Sequence, residues 1–151
     1  MKIILMRHGQ AEGYRDADST RQLTAFGQQQ AKETADYIIA TYQPDCFVVS
    51  PYDRAQQTLT ALTEQAPEVP VHVYEGITPS DDPLTAIKGL AAFDAECLVV
   101  VCHMSIIAYM AALLTGETPE SFQLAEARVF EVAFVATDMG KECDRFIPVQ
   151  P

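Results

Sequence analysis

The sequence is poor in basic side chains. It contains 10 lysines and arginines against 21 aspartates and glutamates, which gives a net charge of −11. Nucleic acids and anionic membrane surfaces need a basic face on the protein that binds them, so neither is expected as a partner. Because basic residues are scarce, the positions of the arginines become informative.

Long apolar runs are also missing. No run approaches the roughly 18 apolar residues of a membrane span. At the N-terminus one lysine is followed by only four apolar residues before Arg7, which is too short for a signal peptide. We therefore expect a cytoplasmic protein without membrane association. With 48% hydrophobic and 21% charged residues, residues 1–151 are expected to fold as a single domain with a substantial core.

Spacings typical of metal sites are absent as well. The four cysteines show no Cys-x-x-Cys pair, and the three histidines are far apart in sequence. We predict buried free thiols, no metal site and no cofactor. The cysteines are Cys46, Cys97, Cys102 and Cys143, and the histidines are His8, His72 and His103.

Short apolar runs alternate with helical patterns along most of the chain. Strands are predicted at 2–6, 46–49, 71–74 and 97–102, helices at 25–42, 53–65, 84–93 and 106–114, and antiparallel edge strands at 127–136 and 144–147. Thr24 is the predicted N-cap of the first helix, and Gly116 is predicted to end the fourth. The alternation predicts an α/β fold, a three-layer sandwich with a mostly parallel central sheet and helices on both faces.

Three of the predicted strands end in polar side chains. The first ends in Arg7-His8-Gly9, the second in Ser50-Pro51 with Arg54 shortly after, and the fourth in His103. The carboxyl ends of parallel strands lie at the same edge of a sheet, where ligands bind. We therefore expect two histidines and two arginines to converge on one pocket.

Such a pocket suits phosphoryl transfer. A neutral imidazole is a competent nucleophile that can form a covalent intermediate, and guanidinium groups bind phosphoryl oxygens in bidentate fashion. Helices that begin after His103 and near Arg54 would add backbone N–H donors. The side chains supply the cations, so such a site can work without a metal.

These residues also carry a family resemblance. Arg7-His8-Gly9, the segment from Ser50-Pro51 through Arg54-Ala55 to Thr58, and His103 resemble the histidine phosphatase (phosphoglycerate mutase-like) superfamily. The chain is most similar to its small phosphohistidine phosphatases of the SixA type, in which Arg21-Gln22-Leu23-Thr24 with Gly27, and Ile77-Thr78-Pro79, also have counterparts. The resemblance implies that His8 is the phosphorylated nucleophile and that Arg7, Arg54 and His103 form the phosphate pocket.

Further substrate contacts are predicted less directly. Arg21 would line the pocket by the same resemblance, although an arginine at this place also commonly pairs with a nearby carboxylate. Ser50 is either a ligand contact or a turn former before Pro51. Gly9 and Met104, which adjoin the two histidines, complete the candidate substrate-binding residues, and His72 is predicted to be an exposed strand residue.

Larger members of this superfamily carry an inserted cap and an acidic proton donor between the second arginine and the second histidine. Here only 48 residues separate Arg54 from His103, so no cap insertion is expected. The candidate proton donors in this interval are Glu75, Asp81 and Asp82. An alkoxide leaving group needs protonation, whereas an imidazole has a pKa of only about 6.5 and leaves with little help.

Three functions follow from the sequence. The favoured one is a phosphohistidine phosphatase of signal transduction, which hydrolyses phosphohistidine on a phosphotransfer protein through phospho-His8. The second is a phosphatase of the same superfamily acting on small phosphorylated metabolites. The third is a phosphate-binding or phosphoprotein-binding module without catalysis.

Overall fold

A computed structural model describes all of residues 1–151. Six strands form one sheet in the order β3-β2-β4-β1-β5-β6. The strands are β1 Lys2–Arg7, β2 Cys46–Val49, β3 Val71–Val73, β4 Cys97–Cys102, β5 Ala127–Val132 and β6 Gly140–Phe146.

Four α-helices cover this sheet: α1 Ala25–Thr41, α2 Asp53–Thr63, α3 Pro83–Leu90 and α4 Ile106–Thr115. Thr24 caps α1 as predicted, since its hydroxyl accepts the Gly27 N–H at 3.0 Å. Gly116 ends α4 in the left-handed conformation, with φ of 77°, which favours glycine because it has no Cβ. No helix is long and apolar enough to cross a bilayer.

The sheet is parallel over its first four strands in spatial order, β3, β2, β4 and β1. The register pairs Arg7 with Cys102 and Val49 with Val101. The carboxyl ends of β1, β2 and β4 therefore lie level at one edge. His8, Ser50 and His103 each come directly after one of these strands, so the sheet brings them together.

Alternate residues of each strand point to opposite faces and form two separate cores. Along β1, Ile3 and Leu5 pack on the side of α3 and α4, whereas Ile4 and Met6 pack on the side of α1 and α2. The predicted three-layer sandwich is confirmed. Between Arg54 and His103 the chain forms only the rest of α2, β3, a short 3-10 turn, α3 and β4, which leaves no inserted cap.

The C-terminal strands differ from the prediction. They are antiparallel to their neighbours as expected, but β5 is an interior strand that pairs with both β1 and β6. β6 begins at Gly140, four residues before the predicted start. Its residues alternate between partly buried and exposed along the edge, and the prediction of buried thiols is wrong for Cys143, which is exposed there.

Candidate active site

The nucleophile candidate His8 follows β1 and is held in place by two hydrogen bonds of its backbone. Its N–H donates to the Cys102 carbonyl at 3.1 Å, and its carbonyl accepts the Ala125 N–H at 3.0 Å. These bonds hold the residue between β4 and the loop that precedes β5. The side chain is 93% buried, since its exposed fraction is 7%.

A hydrogen bond determines which ring nitrogen of His8 carries the proton. Nδ1 lies 2.7 Å from the carbonyl oxygen of Gly9. A carbonyl oxygen can only accept, so Nδ1 must be the protonated nitrogen. The lone pair of the neutral ring is therefore on Nε2, which lies 3.4 Å from Nε of Arg54.

Arg54 stands in the first turn of α2 and is almost fully buried. Its Nη1 donates to the backbone carbonyl of Asp18 at 2.8 Å, and its Nη2 donates to the Asp18 carboxylate at 3.1 Å. The Tyr52 ring packs against the guanidinium, 5.1 Å from its central carbon. These contacts hold the cation beside Nε2 of His8.

His103 follows β4, with its ring centroid 5.3 Å from that of His8. Its Nε2 lies 2.7 Å from Oγ of Ser50, and this oxygen also accepts the Tyr52 N–H at 3.2 Å. Nδ1 of His103 is buried and has no partner in the protein. A buried unpaired polar atom is costly, so this nitrogen is suited to meet a ligand.

The Arg7 guanidinium is held by a single hydrogen bond to the protein. Its Nη1 donates to the Phe122 carbonyl at 2.8 Å, whereas its Nε is buried without a partner. The unpaired N–H would be satisfied by an anion such as a phosphoryl oxygen. Arg7 and His103 thus both present an unsatisfied polar atom near His8.

The surroundings keep both histidines neutral. Burial lowers the pKa of His8 to about 4, and the charges of Arg54 and Arg7 act in the same direction against the opposing Gly9 hydrogen bond. Burial likewise lowers the pKa of His103 to about 3, assisted by the nearby His8 and Arg54. At pH 7 both imidazoles are therefore unprotonated bases.

The remaining predicted substrate contacts have protein partners. Arg21 donates to the Asp18 carboxylate at 3.1 Å, and its Nε donates to the carbonyls of residues 12 and 13. The Gly9 N–H donates to the Thr58 hydroxyl at 3.1 Å, and the sulfur of Met104 accepts the Phe122 N–H at 3.4 Å. As contacts of a substrate these residues, and Ser50, stay predictions.

The candidate proton donors lie in the segment between β3 and α3, and none of them hydrogen-bonds to a site residue. Glu75 is exposed. Asp81 accepts the N–H and hydroxyl of Thr78. Asp82 caps α3, and its hydrogen bonds from Thr85 hold the pKa of its carboxyl below the ordinary value.

Two residues of this site were not predicted from the sequence. The Asp18 carboxylate bridges Arg54 and Arg21. Burial acts to raise its pKa, but the hydrogen bonds from the two arginines prevail and hold the pKa below the ordinary value. Thr58 joins α2 to the His8 loop, because its hydroxyl accepts from Gly9 N–H and donates to the Arg54 carbonyl at 2.8 Å.

Three clefts on the surface lie away from the site. Two of them, each of about 700 Å³, lie between α1 and α2 and at the opposite edge of the sheet. A third, of about 430 Å³, lies between α3 and α4. None of these is lined by Arg7, His8, Arg54 or His103, and no group of three potential metal-ligating side chains is assembled anywhere.

Known proteins are similar to this chain in sequence and in fold. The family model of the histidine phosphatase superfamily (branch 1) matches residues 3–78. The phosphohistidine phosphatase SixA homolog of Haemophilus influenzae is 30% identical over 135 residues, which cover 81% of this chain and 82% of that protein. The phosphohistidine phosphatase SixA of Escherichia coli is 30% identical over 129 residues, covering 81% and 80%.

A solved structure of the protein histidine phosphatase SixA complexed with tungstate superposes with a TM-score of 0.84 at 24% identity, covering 98% of this chain and 97% of the other. This likeness bears on the fold alone. The family model spans half of the chain, and the two SixA relatives are each 30% identical to it over about four fifths of its length. The chain belongs to the histidine phosphatase superfamily.

Proposed function

We propose that this protein is a phosphohistidine phosphatase that acts through a covalent phospho-His8 intermediate. Nε2 of His8 attacks phosphorus while the P–N bond of the substrate phosphohistidine breaks. The departing imidazole takes a proton from solvent. Water then attacks the phosphorus of phospho-His8, which releases inorganic phosphate and restores the neutral ring.

The single observation that carries this proposal is the hydrogen bond from Nδ1 of His8 to the Gly9 carbonyl. It fixes the ring as the tautomer with its lone pair on Nε2, where it accepts a long hydrogen bond from Nε of Arg54 at 3.4 Å. The lowered pKa of about 4 keeps that lone pair unprotonated at pH 7. A nucleophile must be both oriented and deprotonated before it can react. His8 meets both conditions.

The surrounding cations suit the charge of the phosphoryl group. Arg54 lies within 3.4 Å of Nε2, and Arg7 retains a buried N–H without a partner. Donors fixed in place before the reaction stabilise charge on the equatorial oxygens as it develops. Together with His103, the three arginines of the site (Arg7, Arg21 and Arg54) can supply these donors. We therefore propose that the reaction needs no metal ion and no cofactor.

Two features favour a phosphorylated protein as the substrate. No cap is inserted between Arg54 and His103, which suits a side chain presented on the surface of a protein. The candidate acids between β3 and α3 do not hydrogen-bond to the site, which matters less for an imidazole leaving group than for an alkoxide. The two SixA relatives are named as phosphohistidine phosphatases.

The proposal is tested with a histidine-phosphorylated phosphotransfer domain. We expect phosphate release by the wild type and a loss on the order of a thousandfold or more in His8→Ala, because the nucleophile is removed. His72→Ala is the matched control, since this histidine lies exposed on β3 and should leave turnover unchanged. Full activity in His8→Ala would disprove the mechanism.

A substrate panel separates the alternatives. Preference for sugar or nucleotide phosphates over phosphohistidine would favour a small-molecule phosphatase and would assign an acid role to Glu75, Asp81 or Asp82. Anion binding without turnover on any substrate would favour a binding module. An acid-labile, alkali-stable phosphoenzyme that is absent from His8→Ala would exclude the binding module. We further propose that residues 1–151 act as one cytoplasmic catalytic domain.

A further inference from the structure

The loop between α4 and β5 contacts residues beside both histidines. The Phe122 carbonyl accepts the only hydrogen bond that the Arg7 side chain makes within the protein, at 2.8 Å. The N–H of the same residue donates to the sulfur of Met104, which follows His103 directly. The Ala125 N–H donates to the His8 carbonyl. The position of this loop therefore determines where the Arg7 guanidinium lies.

A buried ion pair on β5 and the residue just before it holds this loop. Nη1 of Arg128 donates to the Glu120 carbonyl at 3.1 Å, and its Nη2 donates to the Ser121 carbonyl at 2.7 Å. The guanidinium carbon lies 3.7 Å from the centre of the Phe122 ring. The Arg128 side chain, which is only 3% exposed, thus contacts three consecutive loop residues, Glu120 to Phe122.

Glu126 completes the arrangement. One of its carboxylate oxygens pairs with Nε of Arg128, and the other accepts the Gln123 N–H at 2.7 Å. Its side chain is 1% exposed. A buried ion pair contributes little net stability compared with an apolar pair of similar volume, because both charges lose their hydration. Its directional bonds, however, fix backbone positions that an apolar pair would leave free.

We propose that Arg128, oriented by Glu126, is a positioning residue for the phosphoryl-binding guanidinium of Arg7. It acts through the Phe122 carbonyl, so that Nε of Arg7 stays aimed at the phosphoryl oxygen. The inference rests on the proposed function for its catalytic consequence. Its geometric part concerns anion binding and can be measured without turnover.

The test uses a variant that removes both buried charges, Glu126→Gln with Arg128→Met, because removing Arg128 alone would leave a buried unpaired carboxylate. The dissociation constant of inorganic phosphate is measured by calorimetry, with circular dichroism to verify the fold. We expect the double substitution to weaken binding and kcat/KM on the order of 10- to 100-fold, since small displacements of a positioned group are costly.

A mutant cycle with Arg7→Lys then separates positioning from a general structural effect. If Arg128 acts through the Arg7 guanidinium, the double substitution should change the phosphate dissociation constant by less than about twofold in the Arg7→Lys background. Equal losses in both backgrounds, or no loss in the wild-type background, would overturn the inference. Phosphate binding with this coupling but no turnover of phosphohistidine would refute only the proposed function.

Arg145→Met is the matched control. Arg145 reaches the carboxylates of Glu120 and Glu142 and lies 3.7 Å from that of Glu126, but it makes no bond to the loop backbone. Removing this charge should leave phosphate binding within about twofold of the wild type. A loss as large as that of the double variant would mean that local charge, rather than loop position, controls Arg7, and would overturn the inference.

Discussion

At the scale of single residues, the site places two neutral imidazoles among fixed cations. Burial is the largest cause of the lowered pKa of His8 and of His103. Keeping these rings unprotonated has a consequence for folding as well as for reactivity. The unfolded chain exposes both imidazoles to water, where their pKa returns to about 6.5.

This difference makes stability depend on pH. The folded pKa of His8 is lowered to about 4. The contribution of this ring to the free energy of unfolding is therefore complete above pH 6.5 and is lost as the pH falls toward 4. The slope is about 1.4 kcal/mol per pH unit for each proton. We expect His8→Asn to reduce the difference in unfolding free energy between pH 7 and pH 5 by about 2 kcal/mol.

Urea unfolding at the two pH values measures this effect. The control is His72→Asn, whose side chain lies on the exposed strand β3 and which should keep the pH dependence of the wild type. Protonation of paired carboxylates such as Asp18 also lowers the free energy of unfolding at low pH. This loss is common to both variants and cancels in the comparison. An unchanged pH dependence in His8→Asn would contradict the proposed neutral state of this ring.

At the scale of elements, the start of α1 is in direct contact with the loop that carries His8. A Cβ on Gly27 would lie 2.0 Å from the Gln10 carbonyl oxygen, and a Cβ on Gly9 would lie 2.4 Å from that of Gly27. The Thr24 N–H also donates to the Gln10 carbonyl at 3.0 Å. The helix and the loop can therefore approach this closely only because both glycines lack a side chain.

We expect Gly27→Ala to destabilise the protein by about 1–3 kcal/mol through steric overlap, although alanine is the better helix former. Turnover should also fall, because Gln10 is two residues beyond His8 and its displacement would move the loop that carries this side chain. Urea unfolding and steady-state kinetics measure the two effects. Gly13→Ala in the same loop is the control, since nothing lies within 4 Å of its Cβ position. A Gly27→Ala variant as stable as the wild type would contradict this account.

Periodicity predicted the elements that position the site, because β1, β2 and β4 are continuous apolar runs that end in polar residues. It did not predict the interior place of β5, which depends on pairing with β1. Nor did it reveal Asp18 or Phe122, which meet Arg54 and Arg7 across 36 and 115 residues of chain. Such contacts come from tertiary packing, and local sequence carries no signal for them.

At the scale of the whole molecule, the net charge of −11 surrounds a site that we propose binds a phosphoryl anion. The proposed phosphorylated partner would then be repelled by the overall charge at long range and attracted by the site arginines at short range. Charges near the phosphorylated histidine of the partner should decide the rate of encounter. This effect is screened by salt, since the Debye length falls from about 30 Å at 10 mM to about 8 Å at 150 mM.

Two phosphohistidine peptides that differ only in flanking residues test this expectation. Between about 10 and 150 mM salt, kcat/KM should fall for the peptide flanked by lysines and rise for the one flanked by glutamates. Free phosphohistidine, whose ammonium and carboxylate charges cancel, is the control. Identical salt dependence for the two peptides would show that the protein's overall charge does not influence substrate encounter.

The two outer strands of the sheet bear on how partners can approach. β3 is only three residues long, and β6 carries charges at Lys141, Glu142, Asp144 and Arg145. Short or charged border strands discourage the pairing of an additional strand. A partner is therefore not expected to bind by extending the sheet, and copies of the protein should resist side-by-side aggregation at high concentration. We therefore expect a partner to bind at the edge of the sheet that carries the loops, where the two imidazoles lie.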